Sequence, residues 1–192
     1  MTKARDVASR GGTNVVIPTS IVRGASGSAS VSANGEVTFT GTESISLNGV
    51  FTSAYKNYRI IWNTTADSGG SPTTQFLIRS SNSDLTAGNY YMGGFKNNPF
   101  SGTVNVFSHS GQGYSQLISV TPSVGTVATI DFSYGGSSGA SMWNTAFNGR
   151  ASAEIGFTGS GYHASAAHDG FTIKLSTSTM TGTVRIYGYN NG

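Results

Sequence analysis

From Val31 onward, apolar and polar residues alternate along the chain. A period of two is the repeat of a half-buried β-strand. Val37 and Phe39 alternate with threonines, and Ile45 and Leu47 with Ser46 and Asn48. "NYRIIWNTT" sets Tyr58, Ile60 and Trp62 on one face, with Arg59 and Ile61 on the other. "TTQFLIRS" sets Phe76 and Ile78 against Gln75, Leu77 and Arg79. Similar short runs follow: "NYYMGGF", "TVNVFSH", "SQLISV", "TVATIDFSY", "SAEIGFT", "FTIKLST" and "TVRIYGY". Gly, Asn, Ser or Pro bounds each run. About ten strands punctuated this way predict an all-β, antiparallel sandwich.

Ala33-Asn34-Gly35 reads as a turn, and Asn48-Gly49 as a hairpin signal. The least strand-like stretch is Gly135–Arg150, "GGSSGASMWNTAFNGR". It predicts a long loop whose Met142, Trp143 and Phe147 plug a core edge or face a partner. No fixed-period repeat and no interior linker interrupts the pattern, so residues 33–192 read as one β-sandwich domain. The final strand, in "GTVRIYGYNNG", should be tied into a sheet.

Residues 1–32 differ in character and read as an anchoring segment and arm. Thr2 can cap about two helical turns that Gly11-Gly12 would end. Such a helix is too short to stand alone in water. Beyond it, "TNVVIPTSIVRGASGSASVS" carries two apolar patches, Val15–Ile17 and Ile21–Val22, then a run of small residues. It is either a linker or a docking arm.

Composition sharpens this picture. Charged residues make up 10% of the 192-residue chain, against about 25% in ordinary soluble domains. Glycine accounts for 27 positions, and Ser, Thr and Asn fill most surface positions. The net charge of +3 is unclustered apart from Lys3, Arg5 and Arg10. No basic stripe marks a nucleic-acid partner. With 0 cysteines, disulfides and thiolate metal sites are excluded. No apolar run is long enough to suggest membrane insertion, and no apolar stretch after the basic start suggests a secretory signal.

Chemistry-bearing constellations are sparse, and no cofactor and no catalytic residue is expected. Glycan hydrolysis needs two carboxylates across the scissile bond. Asp131 and Glu154 could be brought together, but Asp131 in "TIDFSY" reads as a residue on the polar face of a strand. "YHASAAHD" holds His163, His168 and Asp169, a spacing that fits metal ligation poorly. Exposed or hydrogen-bonding loop histidines are the plain reading; a threefold axis that gathers one histidine from each copy leaves a metal open. No nucleophile elbow or phosphate loop is present. Among the aromatics, Phe39, Phe76 and Phe132 sit at alternating positions expected in the core. Tyr90, Tyr91, Phe100, Tyr114, Trp143 and Tyr162 stand beside Gly and Asn. They pack ordinary loops or form a contact surface of the Tyr-Ser-Gly-Asn kind.

Three stretches carry a family likeness: "KARDVASRGG", "ISLNGVFTSAYKNYRIIW" and "TGTVRIYGYNNG". In these the chain resembles small β-rich virion proteins of tailed bacteriophages, notably tail-fibre-like proteins of marine and cyanobacterial phages. The resemblance implies a jelly-roll-like antiparallel sandwich with an extended N-terminal arm, often a homotrimer. It implies a virion location on the tail or the capsid surface. Lys3, Arg5, Arg10, Val15, Val16, Ile17, Ile21 and Val22 would then dock the arm on a neighbouring tail or capsid protein. The loop aromatics would contact a host surface glycan or protein. The expected role is attachment by binding, without turnover. The alternatives are a capsid decoration or cement protein, a glycan-degrading tail enzyme and a cellular carbohydrate-binding module.

Overall fold

Alternation becomes strand over most of the chain. The computed structural model describes residues 14–67, 72–98, 102–119, 125–133, 141–149, 157–163 and 167–189. The expected helix, with Lys3, Arg5 and Arg10, lies outside these residues, as does Phe100. The strands are Asn14–Val15 (β1), Ser20–Arg23 (β2), Ser28–Val31 (β3), Val37–Thr42 (β4), Ser44–Asn48 (β5), Asn57–Ala66 (β6), Thr73–Ser80 (β7) and Ser83–Asp84 (β8). They continue with Tyr90–Asn98 (β9), Thr103–Gln112 (β10), Ser115–Ser119 (β11), Thr126–Ser133 (β12), Ser141–Gly149 (β13), Phe157–His163 (β14), Gly170–Leu175 (β15) and Met180–Tyr189 (β16).

Two antiparallel sheets form a jelly-roll-like sandwich. The larger runs β10-β9-β14-β13-β12-β6-β16-β4-β3, with β1 also on β16. The smaller runs β11-β7-β15-β5-β2, with β8 on β7. The side chains expected inside are inside: Phe39, Tyr58, Ile60, Trp62, Phe76, Ile78 and Phe132 are all buried. Arg59 and Ile61 point the other way, as the period of two requires.

Three expectations need revision. Gly135–Arg150 is not all loop, because Ser141–Gly149 is strand β13, paired along its length with β12. Its burial alternates, with Ser141 and Trp143 inside and Met142 outside. Asn48-Gly49 does not close a two-residue hairpin. Gly49 takes a φ of 65° against Thr19, and the chain then crosses from the smaller sheet to β6 of the larger. Val50 and Phe51 are buried on the way. Finally, hydrogen bonding runs straight across position 32. β1 pairs with β16, β2 with β5 and β3 with β4. Val16 is a core residue and Ile21 packs against the core. Even the small-residue run is pinned: Arg23 donates to the carbonyls of Gly24, Ala25 and Ser26, and the Ser26 hydroxyl donates to Glu43 at 2.8 Å.

The face of β7 opposite the core holds a surprise. Leu77 and Arg79 are buried there. The Arg79 guanidinium donates to Asn48 Oδ1 at 2.7 Å, Ser46 Oγ at 3.0 Å and Thr172 Oγ1 at 2.9 Å. It also pairs with Asp84 and reaches the Asn82 carbonyl. Ser81 and Asn82 have φ of 51° and 65°, as in the two-residue turn that suits a twisted hairpin. The charge network thus fastens the β7–β8 hairpin down over the smaller sheet.

Candidate binding groove

Core packing decides which side chains reach the outer face of the larger sheet. β12 buries Phe132 and so turns Asp131 and Ser133 outward. β13 buries Trp143 and exposes Met142. β9 buries Tyr90 and Met92 and turns Tyr91 out, while β16 buries Ile186 and turns Tyr187 and Tyr189 out. Register then lines these positions up. Tyr91, Tyr162, Met142, Ser133, Asn57 and Tyr189 occupy one row across β9, β14, β13, β12, β6 and β16. Asp131 and Arg59 face each other in the adjacent row.

This face carries an open groove of about 570 Å³. Tyr91, Met142, Tyr189, Asp131, Ser133 and His109 line it. Gly93, Gly161, Met92, Phe132 and Trp143 complete the lining. Two glycines matter for different reasons. A Cβ at Gly161 would sit 2.7 Å from the Trp143 indole, so the indole packs there only because position 161 is bare. A Cβ at Gly93 would meet only the Phe107 carbonyl, at 3.5 Å, so its absence leaves room.

An aromatic layer lies beneath. Phe51 stacks on Phe132 at 4.1 Å, and the Phe132 and Trp143 ring planes differ by 7° at 6.4 Å. Trp143 contacts Tyr90, which meets His163 edge-on at 4.6 Å. The Tyr90 hydroxyl accepts from the Ile78 amide at 2.7 Å and donates to the Leu85 carbonyl at 2.8 Å. It thereby ties β9 of one sheet to β7 of the other, and burial pushes its pKa up. His163 and His168 form a buried pair, Nδ1 to Nε2 at 3.2 Å, with His168 Nδ1 2.5 Å from Ser141 Oγ. Burial lowers both pKa values; His168, which also faces His163, falls to about 4.

On the rim, Asp131 and Arg59 make a bidentate ion pair of 2.7 and 3.0 Å. The hydrogen bond to Asp131 and its charge raise the Arg59 pKa. Ser133 Oγ donates to Asn57 Oδ1 at 3.2 Å. The groove therefore offers ring and thioether surface beside hydroxyl, amide and paired-ion groups. Apolar walls with a few fixed polar groups suit a neutral polar ligand. Asp131 is the single carboxylate among the described lining residues, and both its oxygens hold Arg59. Glu154 lies outside the described residues.

Of the contact aromatics expected from sequence, Tyr91 lines the groove. Trp143 also belongs to the lining, as a buried residue of its floor, whereas Tyr90 is a core residue outside the lining. Tyr114 is half-buried and is not part of the lining. Tyr162 occupies the register position between Tyr91 and Met142, and its side chain is outside those described. A ring of histidines about a threefold axis does not fit His163 and His168, since each is about 1% exposed. Among the described residues no group of three or more His, Cys, Asp or Glu could hold a metal. Tyr189, Ser133 and Asp131 were not singled out as contacts by sequence reasoning. The outward positions of "TVRIYGY" and "TIDFSY" carry the signal that finds them.

No protein-family model matches the chain, and no curated protein matches it. Among solved structures it is similar to domain 4 of AbnA, a GH43 extracellular arabinanase from Geobacillus stearothermophilus, in complex with arabinotriose. The TM-score is 0.43 at 12% identity, over 94% of each chain. It is also similar to the carbohydrate recognition domain of Emp47p, with a TM-score of 0.37 at 10% identity, over 95% of this chain and 98% of that one.

Proposed function

We propose that this chain is an attachment protein of a tailed-phage virion, tail-fibre or adhesin-like, whose groove binds a neutral host surface glycan. The observation that carries the binding half is the groove. Tyr91, Tyr189 and Met142 offer faces for the C–H side of a sugar ring, and Asp131, Ser133 and Asn57 offer partners for its hydroxyls. The virion half rests on the resemblance of the three quoted stretches. Val15, Ile17 and Val22 of the arm support it, being exposed apolar residues. Val16 and Ile21, by contrast, serve the chain's own core. A capsid decoration role would use the same exposed residues as a lattice clamp, and copy number per particle separates the two.

The test is retention of purified full-length chain on host surface polysaccharide, compared with Tyr91→Ala and Tyr189→Ala. Retention that falls about tenfold in either variant, with unchanged unfolding, supports the groove. Equal retention in all three proteins refutes it.

A further inference from the structure

Among the described residues, the larger sheet ends on β10. Of its outward residues Val106 is 83% exposed and Val104 59%, and Phe95, beside Val106 on β9, is 49% exposed. Pairing with β9 is regular from Thr103 to His109, and the register shifts only between His109 and Gln112. The strand, "TVNVFSHSGQ", contains no charged residue and no proline. Exposed edges are ordinarily blunted by charge, proline, a bulge or short length. The other terminal strands are short, with β3 and β2 of 4 residues and β11 of 5, whereas β10 has 10.

We propose that β10 is a homodimer edge, pairing antiparallel with β10 of a second copy about a twofold axis at Asn105. That register sets Val104 of each copy opposite Val106 of the other, so both exposed valines are covered twice over. Moving the axis to Val106 would instead set Val104 against Ser108. A second copy is the occupant that fits, because a twofold interface meets its own image. A strand with no charge brings no like-charge clash to that meeting. The threefold symmetry implied by the family resemblance would not bring β10 against itself.

The twofold axis stands perpendicular to the joined sheet, so both outer faces look the same way. β14, third from the edge, would lie five strand spacings from its copy, about 24 Å. Two grooves would then open side by side on one surface. This consequence rests on the groove reading above; the dimer itself does not.

Sedimentation velocity of the full-length chain over a wide concentration range gives the first test. A reversible monomer–dimer equilibrium is expected, weakened roughly tenfold or more by Val106→Lys. Val106 is 83% exposed within one copy, so at dilutions where both proteins are monomeric the melting temperature should be the same. The chain has 0 cysteines, so the register can be read directly. Val104→Cys and Val106→Cys proteins, mixed and oxidised, should cross-link to each other far more than either does alone. A monomer at every concentration, a trimer, or a dimer indifferent to Val106→Lys overturns the proposal. A cross-link formed by Val106→Cys alone overturns the register. The monomeric Val106→Lys protein should still bind glycan through a single groove, losing only avidity. Failure of that binding alone would count against the groove and not the dimer.

Discussion

At the scale of single residues, the groove depends on what lies under it. Gly161 and Trp143 form one packing unit, so Gly161→Ala forces the indole or β14 to move. It should destabilise the protein by about 1–3 kcal/mol, measured by chemical denaturation. Gly93→Ala should leave stability nearly unchanged and reduce glycan retention, because its methyl group enters open space. The buried histidine pair gives the fold a pH dependence. Both imidazoles have lowered pKa values and are neutral in the folded state, whereas the unfolded chain binds their protons near the ordinary value of 6.5. Below that value the unfolded state holds more protons, so stability falls as pH drops from about 6.5 toward about 4. Tyr90 and Asp169 are the other titratable groups beside the pair, and only Asp169 opposes the shift of His168. Thermal unfolding across this range should show the fall, and His168→Gln should flatten it.

At the scale of elements, the β7–β8 hairpin is fastened by the Arg79 network. Arg79→Met would leave Asp84, Asn48 and the Asn82 carbonyl short of a donor. Removing one member of such a buried set typically costs about 3–5 kcal/mol, a loss that urea denaturation would register. The hairpin also shows where sequence reading stops. In "TTQFLIRS" the core face, Phe76 and Ile78, was legible from alternation. Burial of Arg79 was not, because it depends on Asp84 and the Asn82 carbonyl, which the turn after β7 brings back to its guanidinium. β13 was read as loop because its Ser, Asn, Ala and Gly carry little strand preference. Its single described large inward residue, Trp143, gives no period by itself. Tyr90 reads as a loop aromatic because Gly88 and Asn89 precede it, and Trp143 because it stands among small and polar residues. Asp131, read as a polar-face residue, is where alternation puts it. That Tyr91, Ser133 and Tyr189 share a row is a matter of register between distant strands, which no local pattern encodes.

At the scale of the whole molecule, the N-terminal arm divides in two. Residues 14–31 contribute strands to both sheets, and Val16 fills the core. Under the proposed attachment role, deleting residues 1–13 should abolish incorporation into particles while keeping the strand pairings of residues 14–31 that support the melting temperature. Deleting residues 1–31 should lower it sharply, because Val16 and the β2 and β3 pairings go with it. Thermal unfolding and particle incorporation of the two truncations separate anchoring from folding. If the shorter deletion still incorporates, the anchor is not in residues 1–13.

The alternation that builds the larger sheet also sorts its codons. In β12, Ala128, Ile130 and Phe132 are held by the interior, whereas Asp131 and Ser133 touch little beyond their neighbours on the face. The same division runs through the described side chains of β9, β13 and β16. Under the proposed attachment role, adaptation to a changed ligand would be written at every second codon of these strands, one outward residue at a time, beside interior codons that stay fixed. Variation that changes what the groove binds should run along these strands as a period of two.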